Sequence, residues 1–293
     1  MRVTVSSDFV YTPSALSHIY WTDRSRGTIY RANVDGSNIE TLVSGLRSPR
    51  GIALDVAEGK IYWTDYDLYR DDTGTIHRAN VDGSNVETLV IGGDRTRIPS
   101  LGSPEGIALD VAESKMYWMD WIDGDRDSYR IKIHRSNMDG SNFSTWDSGL
   151  SSPGGIALDV AGDKMYWTDR SRGMIYRGRI RSDSSSNNIY IEDIETLVTA
   201  WGNLGGIALD VAGDKMYWTD RSRGTIHRAD LDGSNIETLV SGLGSPRGIA
   251  LDVAEGKMYW TDSIRDTIHR ADLDGSNIAT LVTGSASGIA LGP

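Results

Sequence analysis

The chain has 293 residues, is 39% hydrophobic and carries a formal net charge of −11. That charge argues against nucleic acid, which needs a basic face, and the lack of cysteine excludes disulfides, thiolate metal sites and cysteine nucleophiles. No apolar run reaches membrane-spanning length, and Met1-Arg2-Val3-Thr4-Val5 lacks the apolar stretch of an export signal.

Residues 1–13 stand apart from everything that follows and read as an N-terminal arm or tail. From 14 to 293 one pattern recurs, so the length is spent on a single domain. Its signature is Tyr-Trp-Thr-Asp, at Tyr20–Asp23, Tyr62–Asp65, Tyr166–Asp169, Tyr217–Asp220 and Tyr259–Asp262. A sixth copy, Tyr117–Asp120, reads Tyr-Trp-Met-Asp. A period as short as 42 residues denotes a propeller or a solenoid. Within the unit Gly51–Leu89, Gly51-Ile52-Ala53-Leu54-Asp55 is a short buried strand and Val56–Gly59 a turn. Lys60–Asp65 is a second strand, rich in aromatic and β-branched residues. Thr75–Ala79 is the third, Asp82-Gly83 a hairpin signal, and Val86–Val90 the outermost strand. Four antiparallel strands per unit make a propeller blade.

Side chains alternate along a strand. Tyr62 and Thr64 are therefore expected to face one neighbouring blade, and Trp63 and Asp65 the other. A buried indole hides ~150–250 Å², so six of them are expected to dominate the seams between blades. The chain ends suit a closed ring. The first blade starts at its second strand (His18–Asp23), and Gly288-Ile289-Ala290-Leu291 is a first strand with no second after it. The C-terminal strand is expected to complete the N-terminal blade.

The recurring tetrapeptide and the Gly-Ile-Ala-Leu strand make residues 14–293 resemble the YWTD, or class B, repeats of the low-density lipoprotein receptor family. The resemblance implies an all-β, six-bladed β-propeller with four antiparallel strands per blade. It also implies a non-catalytic module that binds a protein or peptide ligand, with an extracellular or periplasmic placement and no cofactor. The cysteine-rich modules of the family's receptors are missing here, so lipoprotein uptake is not implied.

Four insertions interrupt the repeat, near 66–73, 92–100, 121–130 and 181–193. The first three project from one face of blades two and three, since second-to-third-strand loops and blade-to-blade connections share a face. They are expected to form a raised acidic and aromatic patch. Its candidate ligand-binding residues are Asp67, Tyr69, Asp71, Asp72, Arg95, Arg97, Trp121, Asp123, Asp125, Asp127 and Tyr129, suited to a basic or mixed-charge partner. The alternative is that long hydrophilic loops are merely solvated. Arg50, Glu105, Gly154, Gly205, Arg247 and Ser287 precede the six strand-one segments and are expected to ring the channel entrance on the same face, with Arg50 and Glu105 bordering the patch.

Asp123-Gly124-Asp125-Arg126-Asp127 spaces three carboxylates as a Ca²⁺ loop can, but Ser128 and His134 break the EF-hand pattern, which favours an acidic turn without metal. His77, His134, His227 and His269 stand where Tyr30 and Tyr176 stand in other units. They are read as packing partners of the motif tryptophan, not as general bases. The motif aspartates are read as acceptors for backbone donors at strand ends. Asp55, Asp110, Asp159, Asp210 and Asp252 either close turns or ring the far channel mouth for a cation. The hairpins Arg24–Gly27, Arg170–Gly173 and Arg221–Gly224 read as solvated basic turns that can pair with nearby acids. An enzyme, such as a metal-dependent lactonase on the same fold, needs a convergent polar cluster in the channel, and the repeated Gly-Ile-Ala-Leu lining offers little asymmetry for one. A purely structural link between other domains is the third reading.

Overall fold

The computed structural model describes residues 16–67, 73–92, 101–122, 130–147, 152–182, 188–200 and 202–293. Its strands fall into six four-stranded antiparallel sheets. The first blade holds β1 (His18–Asp23), β2 (Thr28–Asn33) and β3 (Glu40–Val43). The second holds β4 (Ile52–Asp55), β5 (Lys60–Asp67), β6 (Thr73–Asn80) and β7 (Glu87–Ile91). The third is β8 (Ser103–Asp110), β9 (Lys115–Ile122), β10 (Arg130–Asn137) and β11 (Ser144–Asp147). The fourth is β12 (Pro153–Asp159), β13 (Lys164–Asp169), β14 (Met174–Ser182) and β15 (Ile189–Thr199). Blades five and six comprise β16 (Leu204–Asp210) to β19 (Glu237–Val240) and β20 (Pro246–Asp252) to β23 (Ala279–Thr283). The last strand, β24 (Ile289–Gly292), pairs with β1 in the register Tyr20↔Ala290, so tail and head share one blade. His18 fastens the join, its Nδ1 lying 2.6 Å from the Pro293 carbonyl.

Each seam between blades is built from the same two rings. The tyrosine of one motif packs with the tryptophan of the next, as Tyr20 does with Trp63 and Tyr62 with Trp118. The seam between the last blade and the first follows suit with Tyr259 and Trp21. The tryptophans are at most 2% exposed. At ~25 cal/mol per Å², each buried indole contributes roughly 4–6 kcal/mol as an upper bound. The histidines take the packing role expected of them: His77, His227 and His269 stack on Trp63, Trp218 and Trp260 with centroids 5.3 Å apart.

The motif threonine latches one blade to the next. Thr22 Oγ1 donates to the Arg50 carbonyl, Thr64 to Glu105, Thr168 to Gly205, Thr219 to Arg247 and Thr261 to Ser287, at 2.6–2.8 Å. Blade three has the buried Met119 at this position, which packs instead into the seam with blade four. That seam is also filled by Ile189 and Ile191 of the long β14–β15 hairpin, which is where the insertion in blade four leads. The strand-one glycines permit the close approach around the channel. A Cβ on Gly51 would collide with the Glu105 carbonyl oxygen, and one on Gly288 with that of Arg50.

Candidate ligand-binding site at the channel mouth

The threonine latches fix the backbone of the residues that enter the central channel. Arg50, Glu105, Gly154, Gly205, Arg247 and Ser287 line its mouth together with Arg170 and Arg221. The mouth opens into a funnel of about 180 Å³, with a wall of Gly-Ile backbone from all six blades. Arg50 and Glu105 form an ion pair, and the Arg50 Nη1 also donates to Ser103 Oγ at 2.7 Å. The Arg50 guanidinium lies 4.9 Å from the centre of the Tyr66 ring, a cation–π distance. Arg170 approaches the other carboxylate oxygen of Glu105 at 3.7 Å.

The residue following the motif aspartate supplies the rest of the cluster. On blades one, four and five it is Arg24, Arg170 and Arg221; on blades two and three it is Tyr66 and Trp121. The basic hairpins are thus not merely solvated. Their first arginine joins the mouth, while the second turns back onto the motif aspartate, as Arg26 does to Asp23 and Arg223 to Asp220 at 3.0–3.1 Å. Spacing alone gives no sign of this split, because it depends on the turn that follows the strand. Aligning the residue after each tetrapeptide across blades would have exposed the recurring arginine.

The charges feel one another. Burial, reinforced by the positive charge of Arg50 and Arg247, pushes the Arg24 guanidinium down to about 10. Burial together with Arg247 and Arg170 does the same to Arg221, and Arg247 is lowered for the same reasons. Burial works against the Glu105 carboxylate, yet the field of Arg50, Arg170, Arg24 and Arg247 outweighs it and holds this carboxyl below the usual range. The group therefore stays ionised among five guanidiniums.

Of the loop residues expected in the patch, Asp67 is tied to Arg47 at 3.3 Å, and Trp121, one residue before the end of β9, pairs with Ser103, which stands two residues before Glu105. Tyr69, Asp71, Asp72, Arg95, Arg97, Asp123, Asp125, Asp127 and Tyr129 lie outside the described residues, as does the candidate Ca²⁺ loop. The motif aspartates take the role expected of them. Asp262, for example, accepts from the backbone of Gly244 and Ser245 at 2.6 and 2.8 Å. At the far face the strand-one aspartates close their turns, Asp55 accepting from the Glu58 amide at 3.1 Å and Asp252 from that of Glu255. Among the described residues no group of three histidine or acidic side chains is placed to hold a metal.

This ring of YWTD blades is matched over residues 17–56, 59–111, 214–253 and 256–289 by the low-density lipoprotein receptor repeat class B model, more than half of the chain. The protein belongs to that family of repeat propellers. It is 32% identical over 117 residues to low-density lipoprotein receptor-related protein 5 of Mus musculus, which is 39% of this chain but only 6% of that protein. It is 27% identical to low-density lipoprotein receptor-related protein 1 of Pyricularia oryzae over 71% of each. Among solved structures it is similar to one in a nidogen/laminin complex, with a TM-score of 0.74 and 23% identity over 94% of this chain and 98% of the other. A putative 6-phosphogluconolactonase from Bacteroides fragilis matches with a TM-score of 0.61 and 9% identity over 96% and 99%. Likeness at such identities reflects the fold alone.

Proposed function

We propose that the protein is a non-catalytic protein-binding propeller that takes its ligand on the channel-mouth face, over blades two and three. The observation that carries this is the contrast within the channel. Charged side chains of different blades gather at the rim, with the Tyr66 ring against Arg50, above a wall of repeated Gly-Ile backbone. A rim of unlike groups on a rigid ring can recognise an asymmetric surface, and the carboxylate in it, Glu105, is already paired with Arg50. To the outer patch we assign Trp121 and Asp67 and, from the sequence alone, Tyr69, Asp71, Asp72, Arg95, Arg97, Asp123, Asp125, Asp127 and Tyr129, with Arg50 and Glu105 as its inner border. The ligand class is a protein or peptide segment of mixed charge, its basic groups lying over the acidic loops. The nidogen/laminin complex that holds a similar propeller and the family's receptors support a protein partner and an extracellular placement.

The test replaces Trp121 and Tyr69 with alanine and compares the proteins retained from the native source by the variant and by the unaltered chain, using mass spectrometry. Loss of a specific partner is expected. A partner held equally well by the double variant overturns the patch, and saturable turnover of a lactone overturns the non-catalytic reading.

A further inference from the structure

The channel mouth concentrates positive charge on a chain that is otherwise strongly acidic. Among the described residues its one carboxylate serves one side only: Glu105 of blade three binds Arg50 of blade two and faces Arg170 of blade four. Across the mouth stand Arg221 and Arg247, from blades five and six, and Arg24 of blade one lies within reach of their charge while its Nε donates to Ser48 Oγ at 3.2 Å. The Nε–H groups of Arg50, Arg170, Arg221 and Arg247 are buried with no hydrogen-bond partner. Buried donors rarely go unpaired, and like charges disfavour one another's ionised forms. Both penalties fall away together if an acceptor with negative charge enters. The planar guanidinium fork matches the two oxygens of a carboxylate or phosphate, and the funnel of about 180 Å³ has room for one small group.

We propose that the mouth is a receptor for an oxyanion group carrying two negative charges, seated against Arg221 and Arg247, and that Glu105 is the built-in occupant of the opposite half. This rests on the mouth being the ligand face, and it names the chemical group that enters there. The group comes either from a free small anion or from neighbouring acidic side chains on a protein segment.

The test is titration calorimetry on the full chain at low ionic strength, with citrate, inorganic phosphate and an octapeptide containing two adjacent aspartates as probes. Saturable one-to-one binding is expected. Arg221→Gln and Arg247→Gln should each weaken it at least about tenfold, the effect of losing one charge-assisted hydrogen bond. Glu105→Gln should tighten it by about tenfold, because Arg50 and Arg170 are released to the ligand. Arg223→Gln is the control: it removes equal charge two residues from Arg221, but this half-exposed side chain is paired with Asp220 and does not line the mouth, and binding should not change. Thermal melting of each variant without ligand verifies folding, and Arg247→Lys, which keeps the charge and loses the fork, should bind with intermediate strength. Uptake of citrate or phosphate identifies a free anion, and uptake of the peptide alone identifies a presented carboxylate pair. No saturable binding of any probe by the unaltered chain and by Glu105→Gln overturns the proposal, as does binding that Arg221→Gln and Arg247→Gln leave intact. If anions bind but partner capture ignores these two arginines, the oxyanion site stands and the ligand-face reading fails.

Discussion

Replacing Trp218 with alanine tests the seams that hold the ring together. Trp218 is 1% exposed and packs with Tyr166, Leu204, Ile207 and Met216 between blades four and five. Its ring stacks on His227 at 5.3 Å and 22°. Burying an indole hides ~150–250 Å², worth roughly 4–6 kcal/mol at ~25 cal/mol per Å². A partly collapsed denatured chain reduces this by about a tenth to two-fifths. The cavity left behind acts in the other direction, and large-to-small changes at buried aromatic positions cost about 3–5 kcal/mol. A loss of about 3–5 kcal/mol is therefore expected from urea unfolding followed by circular dichroism. Ile236→Ala, at a side chain 53% exposed, should change stability by less than about 0.5 kcal/mol. A loss below about 1 kcal/mol for Trp218→Ala would refute the view that the indoles lock the blades.

Thr168→Val leaves the Gly155 amide and the Gly205 carbonyl, each 2.8 Å from Oγ1, without their partner; a loss of about 1–3 kcal/mol in urea melts is expected, and an unchanged midpoint would contradict the latch. Ending the chain at Ser287 removes β24 and should abolish cooperative unfolding in calorimetry, whereas a native-like transition would show that closure through β1 is dispensable. Burial raises Asp23, Asp220 and Asp262, but hydrogen bonds from the following turn, and for Asp262 also from Ser245 and Gly244, outweigh it and hold the carboxyls below their ordinary value. A lowered folded pKa means that the stability they supply is in place above about pH 4 and is lost as pH falls through the folded values. Burial also lowers His77, His227 and His269, so their neutral forms favour the fold above about pH 6.5 and stability declines as pH falls from there. Melting temperatures recorded from pH 7.5 to 3 should fall in both windows, and a flat profile would contradict both assignments.

The architecture was legible because one feature repeats. Each Tyr-Trp pair sends one ring to either side of a strand, so the period fixes both the blade and its two seams, and the strand left over at Gly288–Leu291 fixes the closure. The register of the histidines was legible for the same reason. The channel entrance was legible in the residues that stand at a fixed position before a strand, Arg50, Glu105, Gly154, Gly205, Arg247 and Ser287, which include half of its charged groups. Arg24, Arg170 and Arg221 were misread because they begin turns, where the backbone path decides direction, and a charged residue in a turn defaults to solvent. The chain as a whole is acidic, while the described part of the mouth gathers arginines. Charge summed over a sequence says nothing of where five blades bring it together.

The ligand face is tested most directly by hydrogen–deuterium exchange on the protein with its captured partner bound. If the partner docks on the channel mouth, amides in 24–27, 47–50, 102–105, 170–173 and 221–224 should slow on binding, while the opposite-face turns at 56–59, 111–114, 160–163, 211–214 and 253–256 exchange as in the free protein. Protection of those turns, with the mouth segments unchanged, would place the ligand on the other face and contradict the assignment.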